Sequence, residues 1–413
     1  GRAMGRLDAA RIDAIAAQIL AGTPVDAWQE DWFTVEANIR RRDLLLQHAA
    51  TPGQAIARAL AQPETVWADL AAAGLRGRGG AGFATAKKWQ ACAEAPGDGP
   101  KAIVCNADEG EPGTFKDRAL LAEQADQVFE GMTVAARLIG AGQVTQGFLY
   151  LRGEYAFLVP HLEAVLARRR AAGLLGRDLL GAHGFDFDIA LHLGAGAYVC
   201  GEESALLESL EGKRGIPRNR PPFPVTHGYL GRPTAVNNVE TFCAAALIAA
   251  QGTEVWRTRG TPDSSGTKLL SVAGDCARPG VYEYPWGIRV REVLADCGAE
   301  QAQAVQVGGP SGVCLSAAEF DRRLCFEDLP TAGAFTVFDA SRDLFEVARA
   351  YADFFAHESC GFCTPCRVGT AFLQRTLNKI AAGRGTAADL AEIEKLDSVL
   401  RQAAHCGLGH TAC

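Results

Sequence analysis

The chain has 413 residues and a formal net charge of −7 at pH 7, and its length corresponds to about two to four domains. With 48% apolar and 22% charged residues, the composition excludes wholesale disorder. The acidic balance argues against a nucleic-acid partner, and the longest apolar run, 242–250, is too short for membrane insertion. The N-terminal residues lack the apolar core of an export signal, so we expect a cytoplasmic location.

The first 250 residues predict a helical segment followed by an α/β unit. Apolar residues recur at helical spacing in residues 1–70, which we expect to be helical. From 71 to 250, strands alternate with helices, a pattern typical of a parallel sheet. The predicted strands are 102–107, 147–153 and 186–194, and the predicted helices are 84–95, 119–139, 155–172 and 202–211.

The last 150 residues predict two further units. Between 262 and 340 the order is two strands, a helix and two strands, which favours a β-grasp (ubiquitin-like) unit. Its predicted elements are strands 268–274 and 280–286, helix 291–298, and strands 304–309 and 334–339. Residues 341–413 predict a bundle of three helices, the third of which begins with a capping box between Thr386 and Asp389.

A cysteine-rich motif in the last unit predicts an iron–sulfur cluster. Cys360, Cys363 and Cys366 form a C-x2-C-x2-C run that can hold three corners of a [4Fe–4S] cubane. Cys406 is the candidate for the fourth ligand because the two intervening helices return the chain to the motif, and Cys413 is its competitor. A structural zinc site more often has two C-x2-C pairs, and free thiols would leave the spacing unexplained.

A glycine-rich loop at 76–83 precedes the predicted helix 84–95. Backbone N–H groups at a helix N-terminus favour a phosphate, and Arg78 and Lys88 add positive charge. The loop follows a helical stretch rather than a strand, so a plain turn between two helices is the alternative interpretation.

Two acidic loops follow predicted strands. They contain Asn106, Asp108, Glu109 and Glu111 in the first loop and Glu202 and Glu203 in the second. Ligands of α/β sheets bind beyond the carboxyl ends of the strands, so we expect these groups to hydrogen-bond a flavin edge or ribose hydroxyls. Two carboxylates at a helix N-terminus also disfavour an extra phosphate, and metal binding is a lesser option for the first loop.

Five motifs occur in the order that is typical of one known family. They are RGRGGAGF (76–83), CNADEGEPGTFKDR (105–118), GAGAYVCGEESALLES (194–209), AVNNVETF (235–242) and ESCGFCTPCRVG (358–369). Over about 70–413 the sequence resembles the NADH-binding flavoprotein subunit of respiratory complex I, the 51-kDa type. The same module occurs in NAD-reducing hydrogenases and soluble NAD-dependent formate dehydrogenases. The resemblance implies a Rossmann-like FMN domain, a β-grasp domain and a helical bundle holding a [4Fe–4S] cluster.

The resemblance also implies a set of cofactor contacts. FMN would contact Arg78, Gly79, Gly80, Lys88, Asn106, Asp108, Glu109, Tyr198, Gly201, Glu202, Asn237 and Asn238. NADH would touch Phe83, Glu111, Tyr198, Glu203, Arg220 and Phe223. Phe83 and Phe223 would flank the adenine, and Glu203 would repel the 2′-phosphate of NADP. Some complex I members have an aromatic residue where Ala91 stands and a lysine where Arg220 stands, so we expect different adenine contacts here.

By resemblance, the activity is hydride exchange between NAD(H) and FMN, followed by single-electron exchange with the cluster. The implied partners are NAD(H) and a thioredoxin-like [2Fe–2S] subunit. Segments 151–163, 184–189 and 260–276 are more similar to the soluble dehydrogenase and hydrogenase branch than to complex I. Residues 38–46 resemble a molybdenum-containing formate dehydrogenase, whose catalytic subunits we therefore expect as partners.

Several alternatives stay open. The chain could be the diaphorase subunit of an NAD-reducing hydrogenase or the NADH-binding subunit of complex I. A relative that prefers NADP is a further enzyme candidate. A non-catalytic scaffold, with structural glycine loops and zinc-bound cysteines, is the candidate from another class.

Overall fold

The structure is a computed structural model that describes residues 4–5, 7–47, 51–97 and 99–413. Its helices are α1 (Ala9–Leu20), α2 (Gln54–Ala61), α3 (Pro63–Ala72), α4 (Thr85–Ala93), α5 (Lys116–Glu123), α6 (Ala125–Gly140), α7 (Val159–Ala171), α8 (Glu203–Leu210), α9 (Pro224–His227), α10 (Val239–Gln251), α11 (Glu254–Arg257), α12 (Val290–Cys297), α13 (Leu344–Glu358), α14 (Thr364–Lys379), α15 (Ala387–Ala403) and α16 (Gly407–Thr411). Its strands are β1 (Ile39–Arg41), β2 (Lys101–Ala107), β3 (Val144–Leu151), β4 (Asp188–Leu193), β5 (Thr234–Asn238), β6 (Thr267–Gly274), β7 (Gly280–Pro285), β8 (Ala304–Val307), β9 (Val313–Ser316) and β10 (Ala334–Phe338).

The first sheet is parallel and has the strand order β4-β3-β2-β5. This confirms the predicted α/β architecture, and three of its strands match the predicted ones. The fourth, β5, was not predicted, because it is short and ends in two asparagines, which are uncommon in strands. In the central strand β2, Asn106 lies opposite Tyr150 of β3 and Asn238 of β5. All four strands therefore end at one edge of the sheet.

Helices α6 and α10 pack on this sheet and form its main core. The apolar run at 242–250 is the interior of α10, which is buried almost throughout. Within the described residues, no helix combines the length and the apolar character of a membrane span. The predicted helix 119–139 is instead two helices, α5 and α6, because Gln124 has a non-helical backbone between them.

The second sheet is mixed and has the strand order β1-β7-β6-β10-β8-β9. Strands β6 and β7 form the predicted antiparallel hairpin, and α12 follows as predicted. Two strands, β9 and β1, extend the predicted set. Strand β1 corrects the expectation that residues 1–70 are helical, because this segment pairs in parallel with β7 through bonds such as Val281 N–H to the Asn38 carbonyl, 2.8 Å. Residues 1–3, 6 and 48–50 of that segment lie outside the described residues.

The C-terminal region is helical, as predicted. Helices α13, α14 and α15 pack in sequence, and α16 closes against α14 and α15. The predicted capping box is present, since the Thr386 backbone N–H donates to Asp389 Oδ2 at 2.8 Å. The turn between α14 and α15 reverses the chain, and this brings its last residues back to the cysteine motif.

Candidate functional site

A cavity of about 590 Å³ lies at the carboxyl edge of the parallel sheet, and its volume falls in the usual range of small-molecule sites. The first sheet contributes the loops after β2, β4 and β5, and the second sheet and the C-terminal helices close the other sides. The expected flavin contacts that line it are Gly79, Gly80, Asn106, Asp108, Glu109, Tyr198, Gly201, Glu202 and Asn238. Glu111, an expected nucleotide contact, also lines it.

The glycine-rich loop presents backbone to this cavity. A hydrogen bond from Gly77 N–H to the Phe83 carbonyl, 2.8 Å, closes the loop before α4 begins. Gly80 has φ +125°, a conformation that side-chain-bearing residues rarely adopt. The cavity wall at Gly79 and Gly80 therefore consists of main chain that a ligand can approach closely.

Two carboxyl groups at the cavity, Asp108 and Glu202, each have a buried oxygen that makes no hydrogen bond among the described residues, Oδ2 and Oε1 respectively. Glu202 Oε1 is ion-paired with Arg220, so of the two only Asp108 Oδ2 has neither kind of partner there. Glu202 Oε2, by contrast, caps α8 by accepting from the N–H groups of Ser204 and Ala205, at 3.1 and 3.0 Å. Buried polar atoms are normally satisfied, so Asp108 Oδ2 fits a ligand that donates hydrogen bonds, such as a flavin imide or ribityl hydroxyls.

Asn106 and Glu109 stabilise the walls of the cavity. Asn106 Nδ2 donates to the Gly201 carbonyl at 2.8 Å, and this bond joins the loops after β2 and β4. The Glu109 carboxylate accepts from the N–H groups of Asp117 and Arg118 and from the Tyr155 hydroxyl, at 2.9, 3.1 and 3.0 Å. Burial raises the pKa of Glu109 to about 7, although the backbone bonds oppose the shift. Glu109 thus anchors the start of α5.

Three expected flavin contacts, Arg78, Lys88 and Asn237, are not among the residues that line the cavity, and their role as flavin contacts stays a prediction. The buried Arg78 guanidinium donates to the Ser265 carbonyl at 2.8 Å and lies 5.2 Å from the Trp256 ring. Lys88 Nζ is 2.8 Å from Glu203 Oε2. Asn237 Oδ1 accepts from Trp89 Nε1 at 2.8 Å. Lys88 and Asn237 are therefore bonded within the protein, whereas Arg78 Nε and Nη1 are buried without a hydrogen-bond partner among the described residues. The sequence motifs alone do not reveal these contacts.

The expected nucleotide contacts divide into two groups. Glu111 and Tyr198 lie at the cavity, where the Tyr198 hydroxyl donates to Glu111 Oε2 at 2.6 Å. Phe83 and Phe223 lie outside it and are 56% and 53% exposed, which suits a stacking role. Glu203 is paired with Lys88, and Arg220 Nη1 lies 3.2 Å from Glu202 Oε1.

The sequence analysis missed several residues that line the cavity. They are Lys116 and Asp117 of α5, and Ser311, Thr331 and Ala332 from loops of the second sheet. Lys116 lies within the motif at 105–118, and this position could have identified it as a residue of the site. Its ammonium lies 2.6 Å from Asp117 Oδ1 and 2.9 Å from Glu240 Oε2. The second-sheet residues carry no such signal, because they are about 200 positions away from the loops that they meet.

The cysteine motif and Cys406 line one small cavity together, whereas Cys413 is exposed. Cys363 precedes α14, Cys366 lies in its first turn, and Cys406 precedes α16. Burial, and then the thiols of Cys363, Cys406 and Cys360, raise the pKa of Cys366 to about 11. Four thiols are the usual donor set of a [4Fe–4S] cluster, and bound iron would deprotonate them.

The two cavities share a wall at Cys406. This residue lines the four-cysteine cavity and the large cavity, which Gly407, Leu408 and Thr411 also line. Within the described residues, no set of three His, Cys, Asp or Glu side chains is placed to hold a single metal ion. Because Cys406 lines both cavities, a cluster held by the four cysteines would adjoin a ligand in the large cavity.

Two family models match the chain. The one described as the Nuo51 FMN-binding domain matches residues 70–247, and the one described as the NADH-ubiquinone oxidoreductase-F iron-sulfur binding region matches residues 346–413.

Curated proteins of hydrogenase and complex I type, and solved structures of a hydrogenase, are similar to the chain. It is 50% identical over 381 residues to the NAD-reducing hydrogenase HoxS subunit alpha of Cupriavidus necator, a match that covers 92% of this chain and 63% of that protein. It is 41% identical over 349 residues to an NADH-quinone oxidoreductase subunit of Rhizobium meliloti, covering 82% of each. A crystal structure of an NAD+-reducing [NiFe]-hydrogenase in the H2-reduced state superposes with a TM-score of 0.93 and 49% identity, covering 100% of this chain and 71% of that chain. The chain thus spans less than two thirds of the HoxS alpha subunit.

Proposed function

This chain belongs to the family of NADH-binding flavoprotein subunits of the complex I 51-kDa type, and we propose that it exchanges electrons between NAD(H) and a [4Fe–4S] cluster through FMN. One observation carries the proposal. The cavity that bears the unpartnered carboxyl oxygen of Asp108 shares its Cys406 wall with the four-cysteine cavity. A flavin in the large cavity and a cluster held by the four cysteines would therefore be neighbours, as electron exchange between them requires.

The protein's own residues bind and orient the cofactors. FMN, when bound, exchanges a hydride with the nicotinamide and single electrons with the cluster. The backbone at Gly79 and Gly80 and the side chains of Asp108, Glu202 and Asn238 hold the flavin. The four cysteines hold the cluster. No side chain has to act as an acid or a base in this scheme.

The expected nucleotide contacts complete the proposed site. Glu111 and Tyr198 contact the part of NAD(H) that enters the cavity, and Phe83 and Phe223 stack on the adenine. Glu203 disfavours a 2′-phosphate, and Lys88 orients its carboxylate through their 2.8 Å ion pair. We further propose a division into four parts: a helical segment to 70, the flavin domain over 71–250, the β-grasp domain over 262–340 and the cluster domain over 341–413.

We propose that the parent assembly is an NAD-reducing hydrogenase. The 50% identity to the HoxS alpha subunit and the TM-score of 0.93 to an NAD+-reducing [NiFe]-hydrogenase support this choice. The molybdenum formate dehydrogenase expected from residues 38–46 has no support in these comparisons. The proposed partners are hydrogenase subunits and a [2Fe–2S] component, and the cytoplasmic location stays a prediction.

Two measurements test the proposal. The isolated, cofactor-loaded chain should reduce an artificial one-electron acceptor with NADH and much more slowly with NADPH. Failure with both nucleotides would contradict the electron-transfer role. The complex that co-purifies with the chain should reduce NAD+ with H2 and not with formate. The opposite result would restore the formate dehydrogenase assignment.

A further inference from the structure

Ser311, a residue of the second sheet, completes a hydrogen-bonded triad at the cavity. The Tyr198 hydroxyl donates to Glu111 Oε2 at 2.6 Å and lies 2.8 Å from Ser311 Oγ. The Ser311 backbone N–H donates to Glu111 Oε1 at 2.9 Å, and its hydroxyl lies 3.2 Å from Glu111 Oε2. The three residues come from the loop after β2, the loop after β4 and the loop between β8 and β9.

The loop that carries Ser311 is shaped to approach Glu111. Gly309 has φ +69°, and a Cβ placed on it would lie 2.5 Å from Glu111 Cγ, so a side chain there would displace the carboxylate. Two hydrogen bonds hold the loop closed, from Gly312 N–H to the Gly309 carbonyl at 2.8 Å and from Gln306 Nε2 to the same carbonyl at 2.6 Å. This loop lies in the stretch 248–345, outside both family models that match the chain.

Tyr198, the third member of the triad, is held in place by helix α13 of the C-terminal region. The Tyr198 backbone N–H donates to Glu358 Oε2 at 3.2 Å, and its ring packs edge-on against Phe354 at 5.0 Å. Both of these partners belong to α13. Glu111 is therefore held by groups whose positions depend on the flavin domain, the second sheet and the C-terminal helices.

Glu111 keeps capacity for one more hydrogen bond. A carboxylate offers about four acceptor positions. The Ser311 N–H and the Tyr198 hydroxyl fill two of them, and the single Ser311 hydroxyl proton goes either to Glu111 or to Tyr198, so at most three are filled. Burial raises the pKa of Glu111, while the bonds from Tyr198 and Ser311 lower it and so favour the ionised acceptor. The remaining position suits a hydroxyl or amide hydrogen of a ligand in the cavity.

We propose that Ser311 is a positioning residue for the nucleotide, which holds Glu111 so that its carboxylate accepts a hydrogen bond from a hydroxyl or amide group of NAD(H). This inference rests on the proposed function and adds to it a residue from the second sheet. It assigns Ser311 to substrate binding and not to electron transfer.

The test compares Ser311→Ala and Ser311→Thr in the full chain loaded with FMN and cluster. We expect Ser311→Ala to raise the KM for NADH about 5- to 10-fold with kcat changed less than about twofold, because only hydrogen bonds that position the ligand are lost. FMN content should not change. Ser311→Thr, which keeps the hydroxyl, should restore most of the affinity. Ser341→Ala is the matched control. Ser341 is exposed, follows β10 of the second sheet, and donates its hydroxyl hydrogen bond to Asp339.

An unchanged KM in Ser311→Ala would overturn the inference. Equal losses of kcat, FMN content and thermal stability in Ser311→Ala and Ser311→Thr would also overturn it, in favour of a structural role. Calorimetry measures the binding of NADH to the same variants without turnover. It therefore separates failure of the Ser311 inference from failure of the proposed function. A wild-type chain that binds NADH without turnover would contradict electron transfer and still report on Ser311.

Discussion

The carboxyl group of Asp108 shows how burial sets the charge of the large cavity. Burial raises its pKa to about 7, Arg152 opposes the shift, and Glu154 and Glu358 add to it. Below that pH the group carries a proton, and above it the group is an ionised acceptor in a poorly solvated place. A ligand that donates a hydrogen bond to the carboxylate would offset the free-energy cost of ionising it there.

The pH dependence of stability should reveal this carboxyl group in FMN-depleted protein. The folded-state pKa of about 7 is above the ordinary 3.8, so the folded protein keeps the proton between these values and loses stability as the pH rises. Asp108→Asn removes the free-energy cost of ionising this buried carboxyl group. We expect the Tm of the variant to exceed the wild-type value by about 2–4 °C at pH 8 and not at pH 4. Thermal unfolding followed by circular dichroism measures this. The exposed Asp263→Asn is the control, and an equal gain at both pH values would contradict the role given to burial.

The fourth cluster ligand can be identified by a pair of alanine variants. Cys406 lines the cavity of the cysteine motif, whereas Cys413 is exposed. Cys406→Ala should therefore lose iron and visible absorption after anaerobic purification, and Cys413→Ala should keep about four iron atoms per chain. Loss of iron in Cys413→Ala alone would show that the ligand assignment is reversed.

At the scale of elements, a buried charge network joins the two sheets. Glu240, in the first turn of α10, bonds Lys268 of β6, and its Oε2 lies 2.9 Å from Lys116 Nζ of α5. The two ammonium groups and Arg78 hold the pKa of Glu240 at about 2 against the effect of burial. In turn, burial lowers the pKa of Lys268 to about 7. The network fixes the helix that follows β5 and therefore the floor of the cavity.

Removing the shared carboxylate should be costly. Glu240→Gln leaves the buried ammonium group of Lys268 without its counter-ion and leaves Lys116 with Asp117 alone. We expect it to lower the free energy of unfolding by about 3–5 kcal/mol. Urea denaturation measures the change. Glu254→Gln, in the first turn of the neighbouring helix and exposed, should behave like the wild type. A loss below about 1 kcal/mol in Glu240→Gln would contradict the role of the network.

Elements with a strong local pattern could be predicted from the sequence. Strands β2, β3, β4, β6 and β7 have apolar runs bounded by turns, and the predicted capping box lies where α15 begins. Strand β1 could not be predicted, because it has only three residues, two of them arginines, and carries no periodic signal. It is ordered by pairing with β7. Short strands of this kind depend on partners that are distant in the sequence.

For the whole molecule, the cavity depends on contacts between the first sheet, the second sheet and the C-terminal helices. Motifs placed the acidic loops and the glycine-rich loop at the site, because each follows a recognisable element. They could not show that Arg78, Lys88 and Asn237 turn to protein partners, or that Ser311 reaches Glu111 from the second sheet. Side-chain direction and the approach of distant loops are set by tertiary packing.

Transfer of electrons from NADH to a flavin beside an iron–sulfur cluster is the activity that the whole arrangement supports. It can be tested with the visible spectrum of the anaerobically purified protein before and after adding NADH. We expect flavin bands that bleach with NADH, over a broad absorption that accompanies about four iron atoms per chain. A spectrum without flavin bands, or flavin bands that NADH leaves unchanged, would contradict the proposed function.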